Sequence, residues 1–362
     1  MPNKKKIVLA AGGTGGHVFP AQALARDLMD LQEEIELLFV GGKLSSNRYF
    51  QKEQFPFKEV SCATPFRSEM VRSIFAIGKG VRESMRHLKS FRPDLVIGFG
   101  SFYAFPVLTA ALLMGIPFIL FEPNSIAGKV NRFLSRWALF SAVQFEETKR
   151  DLKGNAHLVH LPFWGREKGN CTREEARAYY GLDMHRPTLL VFGGSQGANA
   201  INRLFFDLSL PKDLQLIHIT GDESLVEPLN ESYRKQSITA CVKHFEDQMQ
   251  FAWRAADLAL CRAGAATLGE MVAFNVPGIL VPFAQAADDH QSVNADIFEK
   301  KIKGGIHLPE KEMTSSKLSS LLSSLFDPQH HRIESMKQAI EQFKSQDQKE
   351  EFSKLIINHF KP

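Results

Sequence analysis

The fold is decided by the stretch Ile7-Val8-Leu9-Ala10-Ala11-Gly12-Gly13-Thr14-Gly15-Gly16-His17. A short apolar run, a glycine-rich turn and the first residues of a helical pattern follow one another here, which is typical of a strand that leads into a helix. Glycines let backbone N–H groups approach a ligand closely, and the positive end of the helix dipole favours negative charge. The stretch therefore predicts an anion-binding turn.

The same arrangement returns about half a chain later, in Leu189-Leu190-Val191-Phe192-Gly193-Gly194-Ser195-Gln196-Gly197-Ala198. Ser195 and Gln196 can donate hydrogen bonds to phosphate oxygens or to a sugar. The turn lacks the Lys-Ser/Thr ending of a nucleoside-triphosphate loop and the spacing of a strict dinucleotide fingerprint, which disfavours an ATPase and a dehydrogenase. Two such turns predict two phosphate-bearing ligands, or one ligand held between two domains.

The length of the chain, 362 residues, suits two domains. Continuous apolar runs such as residues 94–98 and 117–121 indicate strands that are buried on both faces of a parallel sheet. Residues 162–171 break both periodicities and are predicted to form a linker. We predict an α/β protein with two doubly wound, Rossmann-like domains, 1–161 and 172–345, that face each other across a cleft with ligands at the carboxyl ends of the strands. A final helix within 346–362 is predicted to pack back on the first domain.

Composition narrows the class of protein. The net charge of +4 and the pI near 8.7 are too small to indicate a nucleic-acid-binding protein, but they suit anionic ligands or an anionic membrane face. The four cysteines have no metal-type spacing, so we expect a reduced, cytosolic protein without a metal site. No apolar run approaches the roughly 20 residues of a membrane span, and the first run is too short for a secretion signal. Any membrane contact is therefore expected to be peripheral.

Two strand-end segments of the first domain carry candidate catalytic groups. His17 lies at the start of the predicted helix, where the dipole favours the neutral imidazole that a general base needs. The alternative is a histidine that caps the helix or packs against it. Glu122 and Asn124 follow another predicted strand and are expected to point into the same cleft as His17, although Asn124 also suits a helix N-cap.

The second domain has a third strand-to-helix segment, Cys261-Arg262-Ala263-Gly264-Ala265-Ala266-Thr267-Leu268-Gly269-Glu270. The Glu270 carboxylate can accept hydrogen bonds from both ribose hydroxyls of a nucleotide. The alternative is a helix-capping box from Thr267 to Glu270. The polar loop at 282–295 follows a buried strand and is expected to face the same ligand.

A basic amphipathic helix is predicted between residues 65 and 92. Apolar and basic side chains alternate there with only two acidic residues: Met70, Ile74, Phe75 and Ile77 with Arg67, Arg72, Lys79, Arg82, Arg86 and Lys89, opposed by Glu69 and Glu83. Such a helix can lie on an anionic bilayer. The alternative is an ordinary solvated helix face.

Taken in order, these segments resemble the GT-B glycosyltransferases, and within them the bacterial cell-wall N-acetylglucosaminyltransferases. The resemblance covers about residues 7 to 300 and is carried by four segments: Gly12 to Pro20 with Ala21; Gly115-Ile116-Pro117 through Glu122 and Asn124 to Asn131-Arg132; Gly193 to Ala198; and Arg262 through Glu270 to Gln291 and Asn294-Ala295. It implies inverting transfer of N-acetylglucosamine from UDP-N-acetylglucosamine (UDP-GlcNAc) to the C4 hydroxyl of the lipid-linked N-acetylmuramoyl peptide, lipid I. The product would be lipid II for peptidoglycan, which bacterial cell shape and division require.

The resemblance also implies a role for each segment. His17 and Asn124 would be catalytic, with His17 as the base, and Gly13, Thr14, Gly15 and Gly16 would hold the acceptor diphosphate. The donor would contact the following residues: Thr14, Gly15, Gly16, Asn124, Arg166, Ser195, Gln196, Glu246, Ala265, Ala266, Thr267, Leu268, Glu270 and Gln291. Membrane contact is expected from Met70, Arg72, Ile74, Phe75, Lys79 and Arg82. No cofactor or metal is expected; the expected partners are UDP-GlcNAc, lipid I, anionic lipids of the cytoplasmic face of the inner membrane and other cell-wall synthesis proteins, but not nucleic acid.

The chain departs from the family pattern at three positions. Pro123 stands where the family has glutamine, Glu246 stands where it has an apolar residue near the uracil, and Arg166 occupies a shifted place relative to the linker arginine. Other GT-B enzymes that glycosylate a lipid, a UDP-sugar epimerase and an inactive UDP-sugar-binding protein therefore remain alternatives.

Overall fold

A computed structural model describes residues 4–31, 34–63, 70–162, 171–194, 197–286 and 289–360, without the side chains of residues 70–72. The chain divides into two compact units. The first comprises Met1–Trp164 together with Gln348–Pro362, and the second comprises Gly165–Asp347.

The first unit begins with alternating strands and helices, in this order: β1 (Lys5–Ala10), α1 (Gly15–Leu31), β2 (Ile35–Gly41), β3 (Phe57–Glu59), α2 (Met70–Phe91), β4 (Leu95–Gly98), α3 (Ser101–Leu113), β5 (Phe118–Glu122), α4 (Lys129–Leu134), β6 (Ser141–Val143) and β7 (Ala156–Leu158). Within the described residues these strands form a seven-stranded sheet of order β3-β2-β1-β4-β5-β6-β7, and every pairing is parallel. The strand order reverses between β1 and β4. Ligands of doubly wound sheets bind at the carboxyl ends of strands at such a reversal.

The second unit repeats this plan. Its elements are α5 (Arg173–Tyr179), β8 (Thr188–Phe192), α6 (Asn199–Leu204), β9 (Gln215–Ile219), α7 (Val226–Lys235), β10 (Ala240–Lys243), α8 (Met249–Ala255), β11 (Leu258–Cys261), α9 (Ala265–Phe274), β12 (Gly278–Leu280), α10 (His290–Ile297), β13 (Gly305–His307), α11 (Ser315–Leu325) and α12 (Arg332–Ser345). The part of this unit that the structure describes has a six-stranded sheet of order β10-β9-β8-β11-β12-β13, again parallel throughout. Here the order reverses between β8 and β11.

The central strands explain why the sequence folds in this way. Leu95, Val96 and Ile97 of β4 and Leu189, Leu190 and Val191 of β8 are fully buried. A continuous apolar run is stable in a parallel sheet because helices cover both of its faces. The expected α/β class, with two doubly wound parallel sheets, is confirmed.

The last helix, α13 (Phe352–His359), belongs to the first unit. Phe352 stacks on Phe121 of β5 with ring centroids 5.4 Å apart. Just before the helix, the Glu350 backbone N–H donates to the Leu158 carbonyl at 2.9 Å and so extends the sheet beyond β7. None of the described helices carries an apolar stretch long enough to cross a membrane.

Candidate active site

The first glycine turn joins β1 to α1 and has a backbone shape that requires glycine. Gly13 has a φ of +89°, and a Cβ atom there would lie 2.8 Å from Cδ2 of Tyr103. A Cβ atom on Gly12 would lie 2.6 Å from the Gly42 carbonyl oxygen. The Asn47 side-chain amide donates to the Gly13 carbonyl at 2.7 Å and holds the turn. Thr14 and Gly16 are exposed at the start of α1, where the sequence predicts the anion.

His17 is oriented by a hydrogen bond to the end of a neighbouring strand. Its Nδ1 lies 2.7 Å from the carbonyl oxygen of Phe99, which directly follows β4. A carbonyl oxygen only accepts, so Nδ1 carries the proton, and in the neutral ring Nε2 carries the lone pair. This is the tautomer that lets Nε2 act as a general base. The bond joins the ends of β1 and β4, where the strand order reverses.

Glu122 lies at the end of β5, and its carboxylate accepts hydrogen bonds from other residues of the same unit. It is 3% exposed. Its Oε1 accepts from the backbone N–H and the side-chain amide of Asn124, both at 3.1 Å. Its Oε2 accepts from the Gly128 N–H at 2.8 Å and from the Asn131 amide at 2.9 Å. The expectation that Glu122 points into a ligand cleft is therefore wrong, because both carboxylate oxygens are used to fix the loop that carries Asn124.

Asn124 is held in place by hydrogen bonds to two residues, Glu122 and Thr148. Besides its bonds to Glu122, its carbonyl oxygen accepts from the Thr148 hydroxyl at 2.7 Å. The N-cap of α4 is Gly128, so the alternative that Asn124 caps this helix is wrong. Asn124 is half-buried, which leaves part of the side chain accessible.

Gly100 lies beside both His17 and Asn131, one of the residues that bind Glu122. A Cβ atom on Gly100 would lie 3.6 Å from Cε1 of His17 and 3.5 Å from the Asn131 amide nitrogen, which itself binds Glu122. The φ of Gly100 is +71°, a backbone conformation that favours glycine, whereas the two separations are ordinary van der Waals distances. The ends of the adjacent strands β1, β4 and β5 therefore converge on one site that contains His17 and the Glu122 clamp.

Tyr103 is a residue of this site that sequence reasoning missed. Its side chain lies against the positions that Cβ atoms of Gly12, Gly13 and Gly42 would occupy, at 2.7 to 2.8 Å. The side chain is partly exposed. It thus forms a wall beside the first glycine turn. Tyr103 lies in the first turn of α3, and nothing in the sequence indicates which aromatic ring near the end of β4 covers the turn.

The second glycine turn, between β8 and α6, is equally constrained. A Cβ atom on Gly193 would lie 2.2 Å from the Ala198 nitrogen, and one on Gly197 would lie 2.6 Å from the Thr220 carbonyl. Gly194 and Gly197 have φ values of +80° and +72°. Ser195 and Gln196 lie outside the described residues, as does Arg166. The structure thus describes the frame of the predicted diphosphate site but not these three side chains.

A buried polar network supports this turn from behind. The Asn202 amide donates to the Thr220 carbonyl at 2.9 Å, and its Oδ1 lies 3.1 Å from Nε2 of His218. Nδ1 of His218 lies 2.7 Å from the Tyr233 hydroxyl. Burial lowers the pKa of His218 to about 3, so the ring is neutral, donating from Nε2 and accepting at Nδ1. The network is structural, since these three side chains and the Thr220 carbonyl satisfy one another.

Helix α9 begins at Ala265 with Gly264 as its N-cap. Thr267 therefore lies inside the first turn, and the alternative of a capping box from Thr267 to Glu270 is wrong. Ala265, Thr267 and Leu268 are buried and Ala266 is half-buried. The helix starts directly beyond β11, beside the reversal of strand order in the second sheet, as a nucleotide site there requires.

Glu270 lies in the second turn of α9 and is bound by a tryptophan. Its Oε2 accepts from the indole N–H of Trp253 at 2.9 Å. Burial raises the pKa of the Glu270 carboxyl to about 7, and the Trp253 hydrogen bond opposes this rise. The carboxyl is therefore able to change charge near neutral pH. Sequence reasoning identified Glu270 but not its partner.

The two other predicted donor residues make internal hydrogen bonds. Oε1 of Gln291 accepts from the Phe283 backbone N–H at 2.9 Å, which fastens the loop after β12 to α10. The carboxylate of Glu246 is buried and accepts from the Tyr180 hydroxyl at 3.0 Å and from Nζ of Lys243 at 2.6 Å. The negative charge that departs from the family pattern is thus compensated within the unit.

Helix α2 exposes the apolar and basic residues that its sequence pattern predicts. Ile74 is 62% exposed and Phe75 is 76% exposed, and Lys79 and Arg82 are also exposed. Glu83 turns inward, where it accepts from the Ser61 N–H at 2.6 Å, and this bond lowers the pKa of its carboxyl. The side chains of Met70 and Arg72 lie outside the description. The exposed face of the described part of α2 is therefore apolar and basic.

Comparison with known proteins places this architecture in a family. The sequence profile of the glycosyltransferase family 28 N-terminal domain matches residues 7–142, and that of the C-terminal domain matches residues 188–353. The chain belongs to glycosyltransferase family 28 and has the GT-B fold of two doubly wound sheets. The prediction of a glycosyltransferase is thereby confirmed.

Within this family, the chain is similar to N-acetylglucosamine transferases of one name from different bacteria. The chain is 40% identical over 361 residues to the UDP-N-acetylglucosamine–N-acetylmuramyl-(pentapeptide) pyrophosphoryl-undecaprenol N-acetylglucosamine transferase of Protochlamydia amoebophila, a match that covers 98% of this chain and 96% of the relative. The enzyme of the same name from Bacillus subtilis is 32% identical over 88% of this chain and 90% of its own.

Solved structures agree with this placement. The crystal structure of MurG from Acinetobacter baumannii matches with a TM-score of 0.74 and 27% identity over 98% of both chains. A UDP-glucose:anthocyanidin 3-O-glucosyltransferase in complex with UDP matches with a TM-score of 0.69 and 14% identity over 95% of both chains, which indicates a shared fold alone.

Proposed function

We propose that this enzyme transfers N-acetylglucosamine from UDP-GlcNAc to the C4 hydroxyl of undecaprenyl-pyrophosphoryl-N-acetylmuramoyl peptide, with inversion, to give a β-1,4 bond, lipid II and UDP. The observation that carries the proposal is the 40% identity, over nearly the full length of both chains, to the transferase of this name from Protochlamydia amoebophila. Family membership alone would support only transfer of a sugar.

We propose His17 as the base of this reaction, and its hydrogen bond to Phe99 supports this role. Its Nε2 lone pair takes the proton of the attacking C4 hydroxyl as the oxygen bonds to the anomeric carbon. The bond from Nδ1 to the Phe99 carbonyl, at 2.7 Å, becomes charge-assisted once the ring is protonated. The orienting contact therefore also stabilises the imidazolium product of the proton transfer.

Charge on the departing UDP would be stabilised by the backbone of the second unit. The glycine turn after β8 and the start of α9 present N–H groups at the ends of neighbouring strands. We propose that the reaction needs no metal or cofactor. Asp296, Glu299 and His307 bring potential ligand atoms within 4.8 Å of one another, but Asp296 is already paired with Lys300 and His307, and we assign no ion to them.

An acceptor panel tests the proposal. Purified protein is incubated with labelled UDP-GlcNAc and a lipid I analogue, diacylglycerol or no acceptor, each with and without EDTA. We expect labelled lipid product only with the lipid I analogue, at the same rate in EDTA. Turnover without acceptor would indicate an epimerase, transfer to diacylglycerol would indicate another lipid glycosyltransferase, and donor binding without turnover would indicate an inactive binding protein.

We further propose that α2 docks the enzyme on the cytoplasmic face of the bacterial inner membrane. The exposed Ile74 and Phe75 offer apolar area at one end of the helix, and Lys79 and Arg82 follow along the same exposed side. Glu83 accepts from the Ser61 N–H, and its Oε1 lies 3.7 Å from Nζ of Lys79 and partly compensates that charge. Apolar insertion together with attraction to anionic lipids is the combination that binds interfacial helices. Such docking would bring the enzyme to its lipid-linked acceptor and to other cell-wall synthesis proteins.

A further inference from the structure

Trp253 contacts both Glu270 on α9 and the end of β8, the strand that leads into the second glycine turn. It lies in α8, is 1% exposed, and its indole N–H donates to Oε2 of Glu270 at 2.9 Å. Its ring also meets Phe192 edge-on, with centroids 5.4 Å apart and planes at 86°. Phe192 is the last residue of β8 and immediately precedes the glycine turn. One side chain therefore touches the carboxylate on α9 and the strand that carries the turn.

The hydrogen bond restricts a side chain that is otherwise flexible. A glutamate side chain loses most of its rotamer freedom when it is ordered. The indole nitrogen can only donate, so the direction of this bond is unambiguous. With one carboxylate oxygen anchored, the plane of the group is set before a ligand arrives. A preorganised carboxylate suits a pair of adjacent hydroxyls, because both donors must meet it in one orientation.

We infer that Trp253 is a positioning residue for donor recognition: it holds the Glu270 carboxylate so that it accepts from the ribose hydroxyls, and thereby selects uridine diphosphate over its 2′-deoxy analogue. The inference rests on the proposed function, since it takes the donor to be a uridine diphosphate sugar. Glu270 is partly buried, and hydrogen bonds are stronger where water is excluded, so its bonds to Trp253 and to the ribose are strengthened.

The test is the ratio of the dissociation constants of UDP and 2′-deoxy-UDP, measured by calorimetry. Trp253→Phe keeps an aromatic ring against Phe192 but removes the N–H donor together with part of the buried indole volume. We expect it to weaken UDP binding about tenfold, as for loss of a hydrogen bond to a charged group, and to change 2′-deoxy-UDP binding less. The KM for UDP-GlcNAc should rise in parallel, while kcat at saturating donor stays within about twofold.

Trp137→Phe is the matched control, because it makes the same chemical change at a side chain that is 45% exposed in the first unit. It should leave both dissociation constants unchanged. A Trp253→Phe protein that keeps the wild-type ratio, whether both affinities hold or fall together, would overturn the inference. Wild-type protein that binds no UDP would instead overturn the proposed function.

Glu270→Gln provides a second route if Trp253→Phe does not fold. The glutamine oxygen still accepts from the Trp253 N–H, so the core contact with Phe192 is undisturbed. We expect this variant alone to lower the preference for UDP over 2′-deoxy-UDP; where Trp253→Phe folds, its addition should lower the preference no further. A wild-type preference in Glu270→Gln, or independent additive losses in the double variant, would contradict the assignment.

Discussion

Replacement of His17 by asparagine separates its two roles. The asparagine amide can still donate to the Phe99 carbonyl from nearly the position of Nδ1, but it has no group that can take a proton at neutral pH. The structural bond, which contributes about 0.5 to 1.5 kcal/mol, is thereby largely kept. The catalytic contribution is lost.

The expected loss follows from the role of the base. General-base catalysis contributes about 10²- to 10⁴-fold, which corresponds to about 2.7 to 5.4 kcal/mol in the activation free energy. We therefore expect kcat of His17→Asn to fall by that factor, the KM values for both substrates to change by less than about threefold, and the thermal midpoint to stay close to that of the wild type.

The assay is steady-state transfer to a lipid I analogue, with thermal unfolding measured on the same samples. His157→Asn is the control, since His157 is a partly exposed residue of the same unit that pairs with Glu350. It should keep wild-type kcat. If His17→Asn retains kcat within about threefold, His17 is not the base.

Three further predictions test other parts of the account. Glu122→Gln replaces one carboxylate oxygen by an amide donor, which must face either the donors of Asn124 or those of Gly128 and Asn131. We therefore expect a lower thermal midpoint, a loss of about 1.5 to 3 kcal/mol, and reduced kcat; an unchanged midpoint would contradict the clamp. Because the pKa of Glu270 is about 7, the deprotonated carboxylate grows from about a tenth of the protein at pH 6 to about nine-tenths at pH 8. The KM for UDP-GlcNAc should therefore fall across this range, and a KM that does not change with pH would count against the ribose contact. Replacement of Ile74 and Phe75 by serine should reduce co-sedimentation with anionic vesicles and spare activity on a soluble acceptor analogue; equal sedimentation of this variant and of Met29→Ser, an exposed apolar residue of α1, would remove α2 as the docking surface.

Much of the fold was predictable because its central strands are continuous apolar runs. The runs that became β4, β5, β8 and β11 could be identified directly, and the glycine turns marked where strands lead into helices. The strands β3, β6, β10 and β13 were missed. Each has only three or four residues, too few for a periodic signal, and each lies toward the margin of its sheet, where neighbouring strands rather than sequence pattern create it.

The candidate site was predictable as residue types but not as geometry. His17 and Glu270 stand out because of their positions after glycine-rich or small-residue turns. Their partners do not: the Phe99 carbonyl is 82 residues from His17, and Trp253 is 17 residues from Glu270 and in a different helix. Such contacts depend on strand order and helix packing, which cannot be deduced from local patterns in a single sequence.

Glu122 illustrates how a correct residue can receive the wrong role. A carboxylate at the end of a strand suggested a ligand contact, yet four donors from its own loop and helix occupy both of its oxygens. A buried charge needs such donors, and nearby backbone N–H groups can supply them without any ligand. Only the folded geometry distinguishes the two roles.

The stoichiometry of a single reaction shows whether this protein is a lipid I N-acetylglucosaminyltransferase. UDP release and the appearance of labelled N-acetylglucosamine in the lipid fraction are measured together, with UDP-GlcNAc and a lipid I analogue as the only substrates. We predict one labelled sugar transferred for each UDP released, and neither product when the acceptor is omitted. UDP release without labelled lipid, or no reaction with both substrates present, would contradict the assignment of this protein as a lipid I N-acetylglucosaminyltransferase.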